Sequence, residues 1–185
     1  TTYPELLSTA FGEDAARVES EYPLADYASP GVAWATVVTD RVWATATMAQ
    51  HRGLAQTVPV WAYQFADREA PPIVETSEGF DLGAYHSAEV AYQFDLTGNP
   101  APLSPSQWEL AGAMNRYWAT FARWQNPNSD GLPAWDQFDG GEMVLSLDDG
   151  EGGIAPANFA EDHRLAFWDS LAYRWLKADR NNAGT

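Results

Sequence analysis

The feature that most constrains the fold is a short run of β-branched and aromatic residues, "TVPVWAYQFAD" at residues 57–67. Its nearly continuous apolar composition predicts a strand at 58–65 that is buried on both faces. A second short strand is predicted at "MVLSLDD", residues 143–149, and long helical patterns separate the two. Such spacing indicates parallel connections and an α/β fold. Because two strands do not form a satisfied sheet by themselves, we expect long helices around a few strands of a larger sheet.

Helix-start signals precede that first strand. Residues 3–23 predict short amphipathic helices that end at Pro23. Ser29 is a suitable N-cap with Pro30 at the first helical position, which predicts a long helix from 30 to 52. The predicted apolar face of this helix consists of residues spaced three or four apart, namely Trp34, Val38, Val42, Ala46 and Ala49.

Two more helices are predicted after the strand. Ser104 and Gln107 have the spacing of a capping box, so a long helix begins there. Its predicted core stripe is Trp108, Ala111, Met114, Trp118, Phe121 and Ala122. The last helix begins near Phe159, residues 179–185 are expected to fray, and the predicted inward residues are Leu165, Trp168, Leu171, Ala172 and Trp175.

Charge and hydropathy exclude two classes of partner. The formal net charge is −16, from 26 acidic and 10 basic residues, and such a surface repels phosphate backbones. Polar or charged residues interrupt every apolar run well before the roughly 20 residues of a membrane span. We therefore expect neither a nucleic acid nor a membrane as a partner. The chain has no cysteine, which leaves the redox compartment undetermined.

His86 is the main candidate for chemistry. It lies in "GAYHSAEVAYQF", residues 83–94, on a glycine-containing loop beyond the strand predicted at 58–65. Loops at the carboxyl ends of parallel strands are where α/β proteins place ligands and catalytic groups. Position alone still favours a structural histidine, because no partner at metal-ligand spacing accompanies it.

The surrounding segments carry a family resemblance. The His86 segment is similar to the catalytic-histidine segment of the type-B carboxylesterase and cholinesterase family, an α/β-hydrolase group. The likeness continues in the right order through "TDRVWATATMAQHRGLAQTVPVWAYQFAD" before it and "YWATFARWQNPNSDGLPAWDQFD" and "DHRLAFWDSL" after it. Departures are Ser87, where the family commonly has glycine, and Ala91 and Gln93, where proline and valine are more usual.

This resemblance implies that residues 1–185 are the C-terminal portion of a serine carboxylesterase, with His86 as general base. The family's chain order is serine, acid, histidine. No G-x-S-x-G precedes His86, so the serine, the acid and the oxyanion hole are expected upstream. The expected partners are that N-terminal portion and a small-molecule ester, with no metal or organic cofactor. The isolated chain is expected to be inactive and to self-associate.

Two alternatives remain open: a non-catalytic, cholinesterase-like binding or adhesion domain, and a self-contained carbohydrate- or protein-binding domain. The aromatic stripe of the helix after Ser104 fits stacking on a sugar or partner, but it fits core packing better. Glu89 is either a carboxylate near the His86 imidazole or a first-turn acid stabilised by the helix dipole. His51 and His163 are interpreted as structural, and residues 126–131 as a plain turn rather than a calcium loop.

Overall fold

The computed structural model describes residues 2–73, 80–95, 102–141 and 143–171. They form two compact units. Unit 1 joins Thr1–Gln50 with Phe159–Thr185, and unit 2 comprises His51–Asn158. None of the helices within the described ranges is both long and apolar enough to cross a bilayer.

Unit 1 begins with the short helices that the sequence predicts. Helix α1 spans Tyr3–Phe11 and helix α2 spans Ala15–Glu21, joined by a 3-10 turn at Gly12–Asp14. A second 3-10 turn at Leu24–Asp26 leads to the next helix. The core of unit 1 consists of the buried residues Tyr3, Leu7, Val18, Tyr22, Ala33, Val37, Trp168 and Leu171.

The predicted long helix is present as three consecutive segments: α3 at Pro30–Val38, a π-helical segment at Thr39–Ala44, and α4 at Thr45–Leu54, inside which the boundary between the units falls. Its predicted N-cap is confirmed, since the Ser29 hydroxyl accepts a hydrogen bond of 3.2 Å from the backbone N–H of Val32. The predicted inner face is wrong. Val42 is 52% exposed, and the buried positions are Ala33, Val37, Asp40, Ala44 and Met48.

The reason for the error is a polar residue on the inner face. Asp40 is 2% exposed and lies in line with Val37 and Ala44 at helical spacing. Because apolar periodicity is the criterion, the helix face that contains this carboxylate is not predicted as the inner face. The neighbouring face, which includes Trp34 and Val38, is predicted instead. Those two residues are only half-buried.

Unit 2 contains a three-stranded sheet in the order β1-β2-β3. Strand β1 is Ala62–Phe65, β2 is Val144–Leu147 and β3 is Ile154–Pro156. Strands β1 and β2 are parallel, as predicted, while β3 pairs with β2 antiparallel. The sequence does not predict β3, because the segment is short and its proline removes a ladder donor.

Strand β1 is not buried on both faces in this structure. Ala62 is 1% exposed, but Tyr63 is 39% exposed, and Val58, just before the strand, is 49% exposed. Within the described residues β1 has one sheet neighbour, β2. Burial on both faces is predicted for this strand within a larger sheet, so it stays a prediction for that sheet.

Two helices lie between β1 and β2 in the chain. Helix α5 spans Val90–Gln93 and helix α6 spans Pro105–Trp124. The predicted capping box of α6 is confirmed: the Gln107 backbone N–H donates to the Ser104 hydroxyl at 3.2 Å, and the Ser104 N–H donates to the Gln107 side chain at 2.9 Å. The core of unit 2 includes the buried residues Ala70, Ala88, Tyr92, Leu103, Leu110, Ala111, Met114, Tyr117, Trp135, Leu145 and Leu147.

The predicted core stripe of α6 is only partly right. Ala111 and Met114 are buried and Trp118 is half-buried, whereas Trp108 is 62% and Phe121 45% exposed. Ala122 is also exposed. The buried face is Gln107, Leu110, Ala111, Met114 and Tyr117, so a polar residue again lies on the inner side of the helix.

The last helix is interrupted. Helix α7 covers Phe159–Asp162, a turn follows at 163–164, and residues 165–171 are helical. Arg164 has φ +50°, a left-handed conformation that no continuous α-helix contains. Leu165, Trp168 and Leu171 are buried as predicted. The predicted inward residues Ala172 and Trp175 and the tail 179–185 lie outside the described residues.

Candidate active site

His86 is presented by a tight turn. The backbone N–H of Ala88 donates to the carbonyl of Tyr85 at 3.0 Å, which makes His86 the second residue of the turn. The third residue, Ser87, has φ +75°, and a positive φ at this position alone defines a type II turn. Glycine is the usual residue there because an L side chain is strained. The turn places His86 at the exposed surface of unit 2.

Both sides of this turn are fixed. The Tyr85 hydroxyl donates to the carbonyl of Pro71 at 2.9 Å and accepts from the N–H of Ile73 at 2.9 Å. On the other side Ala88 is fully buried in the core of unit 2. The His86 turn is thus held to the chain that follows β1 and to the core.

In the segment before the turn, a residue with a side chain does not fit at Gly83. Gly83 has φ +56°, and a Cβ there would lie 2.9 Å from Nη1 of Arg68. Asp81 pairs with Arg68 at 2.6 Å and accepts the Gly83 N–H at 2.8 Å. The Gly83 N–H and the Arg68 guanidinium together lower the pKa of Asp81. This contact holds the segment before the turn against the residues after β1.

Asp67, two residues after β1, is the centre of a buried hydrogen-bond network. It is 1% exposed and accepts hydrogen bonds from the Tyr92 hydroxyl, from Gln107 Nε2 at 2.9 Å and from the Glu69 N–H at 2.8 Å. Burial and the Asp67 carboxylate raise the pKa of Tyr92 far above its usual range. The network links the end of β1 to α5, through Tyr92, and to α6, through Gln107.

Two further carboxylates lie beside Asp67. One oxygen from each of Asp67, Asp148 and Asp149 falls within 4.8 Å of the others, because the parallel strands β1 and β2 end at the same sheet edge. Asp149 accepts from the Ser106 hydroxyl at 2.6 Å. Burial, then the charges of Asp67 and Asp149, raise the pKa of Asp148. Sequence reasoning missed this cluster, although each predicted strand is followed by aspartate.

Unit 1 contains a second buried carboxylate. Asp40 accepts hydrogen bonds from His163 Nδ1 at 2.6 Å, from the Tyr22 hydroxyl at 2.8 Å and, at 3.5 Å, from Arg164 Nη1. An ionised carboxylate has only acceptors, so the ring nitrogen carries the proton. Trp168 Nε1 extends the network by donating to the Tyr22 hydroxyl at 2.7 Å. His163 has the structural role that the sequence predicts.

The remaining candidates are also structural. His51 packs edge-on against Phe138, and burial lowers its pKa. Within residues 126–131 the Asn128 side chain binds the backbone N–H and carbonyl of Trp135, at 2.7 and 2.8 Å. This arrangement is a plain turn. Glu89 is half-buried immediately before α5, where its charge, after burial, contributes to raising the pKa of Tyr63.

A family model described as the carboxylesterase family matches residues 12–168. The chain belongs to the carboxylesterase family. It is 33% identical over 114 residues to cocaine esterase of Homo sapiens, covering 60% of this chain and 19% of that protein. It is 29% identical over 147 residues to the medium-chain fatty acyl-CoA hydrolase precursor of Anas platyrhynchos, covering 78% of this chain and 25% of that protein. This carboxylesterase family chain therefore spans about a fifth to a quarter of these relatives' lengths.

Among solved structures, a thermophilic PNB esterase aligns with a TM-score of 0.61 at 21% identity, covering 89% of this chain and 32% of that one. The neighbour is an α/β-hydrolase esterase, and helices around a small mixed sheet agree with part of that fold. The family and the fold class inferred from sequence are thus confirmed for this carboxylesterase family chain.

Proposed function

We propose that the chain is the C-terminal portion of a serine carboxylesterase and that His86 is its general base. The observation that supports this most directly is His86 at the exposed tip of an anchored turn, beyond the carboxyl end of β1, in a carboxylesterase family chain. A proton-transfer group must reach the reacting atoms, so an exposed imidazole on a fixed backbone suits this role.

The proposed reaction is acyl transfer through a covalent intermediate. His86 takes the proton of a serine hydroxyl as the hydroxyl oxygen attacks the ester carbonyl, and then protonates the departing alkoxide. In the second step His86 removes a proton from water, whose oxygen attacks the acyl carbon; the serine–acyl bond then breaks, His86 returns the proton to the serine oxygen, and the carboxylic acid is released. The serine, the orienting acid and the oxyanion donors belong to the part of the family fold that this chain does not span. The mechanism requires no metal or organic cofactor.

The substrate class proposed is small carboxylic esters. The names of the relatives, cocaine esterase and fatty acyl-CoA hydrolase among them, support acyl-group hydrolysis at the family level. The proposed substrates are therefore small esters that differ from one another in their acyl and alcohol parts.

The test is His86→Ala in the full-length protein, with p-nitrophenyl acetate as substrate. We expect kcat/KM to fall on the order of 10³-fold or more, because proton transfer in both steps is removed. His51→Phe is the matched control: it removes another imidazole of unit 2, one that packs against Phe138, and should leave turnover unchanged. An unchanged rate in His86→Ala would contradict the proposal and favour the non-catalytic binding alternative.

The proposed partner of this chain is the N-terminal portion of the same esterase. Tyr63 in β1 and Val58 just before it are exposed, and an exposed apolar strand at a sheet edge is a site for further strand pairing. The 185-residue chain alone is therefore expected to self-associate and to show no ester turnover above its His86→Ala variant. Light scattering at low and high salt tests the first point; a monomer at both, with strongly protected β1 amides, would contradict it.

A further inference from the structure

We propose that Tyr85 is a positioning residue whose hydroxyl holds the turn that carries His86. Its significance for catalysis rests on the proposed function of His86. Tyr85 directly precedes His86, its ring is half-buried against the unit 2 core, and its hydroxyl makes two hydrogen bonds of 2.9 Å to the backbone of Pro71 and Ile73. One side chain thus joins the His86 turn to the loop that follows β1.

The turn needs such a hold because it contains a strained residue. Ser87 has φ +75°, a region that favours glycine, and it immediately follows His86. A non-glycine residue keeps such a conformation only where the surrounding structure fixes it. Ala88 is fixed by complete burial on one side, and Tyr85 is fixed by its hydroxyl on the other. If either side is released, the backbone between them is able to relax and the imidazole changes direction.

The other contacts of this segment are less able to do this. Arg68 and Asp81 form an ion pair before the turn, but their side chains are 65% and 55% exposed, so solvent screens the interaction. Tyr92 is bonded to Asp67 beyond the turn, six residues after His86. The Tyr85 hydroxyl acts next to His86, in a half-buried environment, on backbone groups that are not part of the turn.

Tyr85→Phe in the full-length protein tests this inference. The ring keeps its packing while both hydrogen bonds are lost, and we expect kcat to fall about tenfold with KM changed by less than about twofold, since misplacing a catalytic group affects the chemical step. Tyr117→Phe is the matched control, because the Tyr117 hydroxyl donates to another proline carbonyl of unit 2, Pro133, at 2.7 Å. It should also lower stability, by the loss of one buried hydrogen bond, and leave kcat unchanged.

A second substitution, Ser87→Gly, distinguishes positioning of His86 from a general effect on stability. Glycine adopts φ +75° without strain, so the turn no longer depends on the Tyr85 hydroxyl. In the Ser87→Gly background, Tyr85→Phe should therefore lower kcat by only about threefold or less. A double-mutant cycle measures this coupling between residues 85 and 87. An equal loss in both backgrounds, an equal loss in Tyr117→Phe, or no loss at all would overturn the proposal.

A measurement without any substitution keeps the proposal testable if Tyr85→Phe does not fold. The Ile73 amide donates to the Tyr85 hydroxyl, so its hydrogen exchange in the unmodified protein should be slowed. An unprotected Ile73 amide would overturn the proposed contact. The two proposals can fail separately. Unchanged turnover in His86→Ala would contradict the proposed role of His86. Protection of the Ile73 amide would still show whether the Tyr85 hydrogen bond is present.

Discussion

Asp40 in unit 1 and Asp67 in unit 2 are both almost completely buried, at 2% and 1% exposure, but their partners differ in charge. Asp40 is bonded to His163 and Arg164 as well as to a tyrosine hydroxyl. The described donors to Asp67 are all uncharged: a tyrosine hydroxyl, a glutamine amide and a backbone N–H. A buried carboxylate needs compensation, which includes an arginine cation in unit 1 and comes from neutral donors alone among the described contacts of Asp67 in unit 2.

The surroundings strengthen this contrast. The Arg164 guanidinium lies 4.3 Å from the ring centroid of Tyr22, the same tyrosine that donates to Asp40. The break in the last helix at 163–164 directs both basic side chains to Asp40. Asp67 instead lies near two more carboxylates, Asp148 and Asp149. A guanidinium faces the carboxylate of the first network, whereas carboxylates accumulate in the second, which predicts a larger loss of stability when the charge of Asp40 is removed than when that of Asp67 is removed.

The largest expected effect is that of Asp40→Asn. The substitution removes the carboxylate that accepts hydrogen bonds from His163, Tyr22 and Arg164. Losing a buried hydrogen bond to a charged group costs about 1.5–3 kcal/mol of unfolding free energy. Urea unfolding of the full-length protein measures it. Asp169→Asn, at an exposed aspartate of the same unit, should cost less than about 0.5 kcal/mol. A loss below about 1 kcal/mol for Asp40→Asn would show that cationic compensation is not what stabilises unit 1.

Asp67→Asn should have a smaller effect. The amide replaces an oxygen that accepts from two donors, and an unsatisfied buried donor costs about 1–3 kcal/mol. Relief of repulsion with Asp148 and Asp149 offsets part of that loss. The same variant should lower the pKa of Asp148 toward its usual range, because the Asp67 charge contributes to raising it. Carboxyl NMR titration detects this change, and an unmoved Asp148 pKa would mean that the carboxylates do not interact.

These two networks also explain which parts of the structure the sequence predicts. The caps at Ser29 and Ser104 depend on residues three positions apart in the chain, and they are confirmed. The parallel strand pair is also confirmed, because a long connection between two apolar segments is enough to indicate it. The inner faces of the segmented helix at 30–54 and of α6 are not predicted correctly. Asp40 and Gln107 lie on those faces because their partners, His163 and Asp67, are 123 and 40 residues away. No local window contains such a partner.

The candidate site shows the same division. His86 is identified by its motif and by its position after a strand, both readable in the sequence. The strain at Ser87 depends on a backbone angle, and the role of Tyr85 depends on contacts with residues 71 and 73. The proximity of Asp67 to Asp148 was readable in principle, because parallel strands that each precede an aspartate bring these residues to one edge.

Asp148→Asn should have the smallest effect and the opposite sign. The Asp148 side chain accepts from the Asp149 N–H at 2.9 Å through Oδ1, an oxygen that asparagine retains. The pKa of Asp148 is raised in the folded protein, so the folded state binds the proton more tightly than the unfolded state. Stability therefore falls as pH rises from the unfolded pKa through the folded one, and the ionised group is destabilising at pH 7.

Removing this charge should stabilise the protein at pH 7 by less than about 1 kcal/mol, because the side chain is partly exposed and solvent screens the repulsion. The gain should vanish well below the unfolded pKa of about 3.9, by roughly pH 2.5, where aspartate is protonated in both states. Urea unfolding at both pH values measures the difference, and Asp139→Asn, at an exposed aspartate of unit 2, is the control. Destabilisation at pH 7 would show that Asp148 has a compensating partner, and the contrast between the two networks would then be lost.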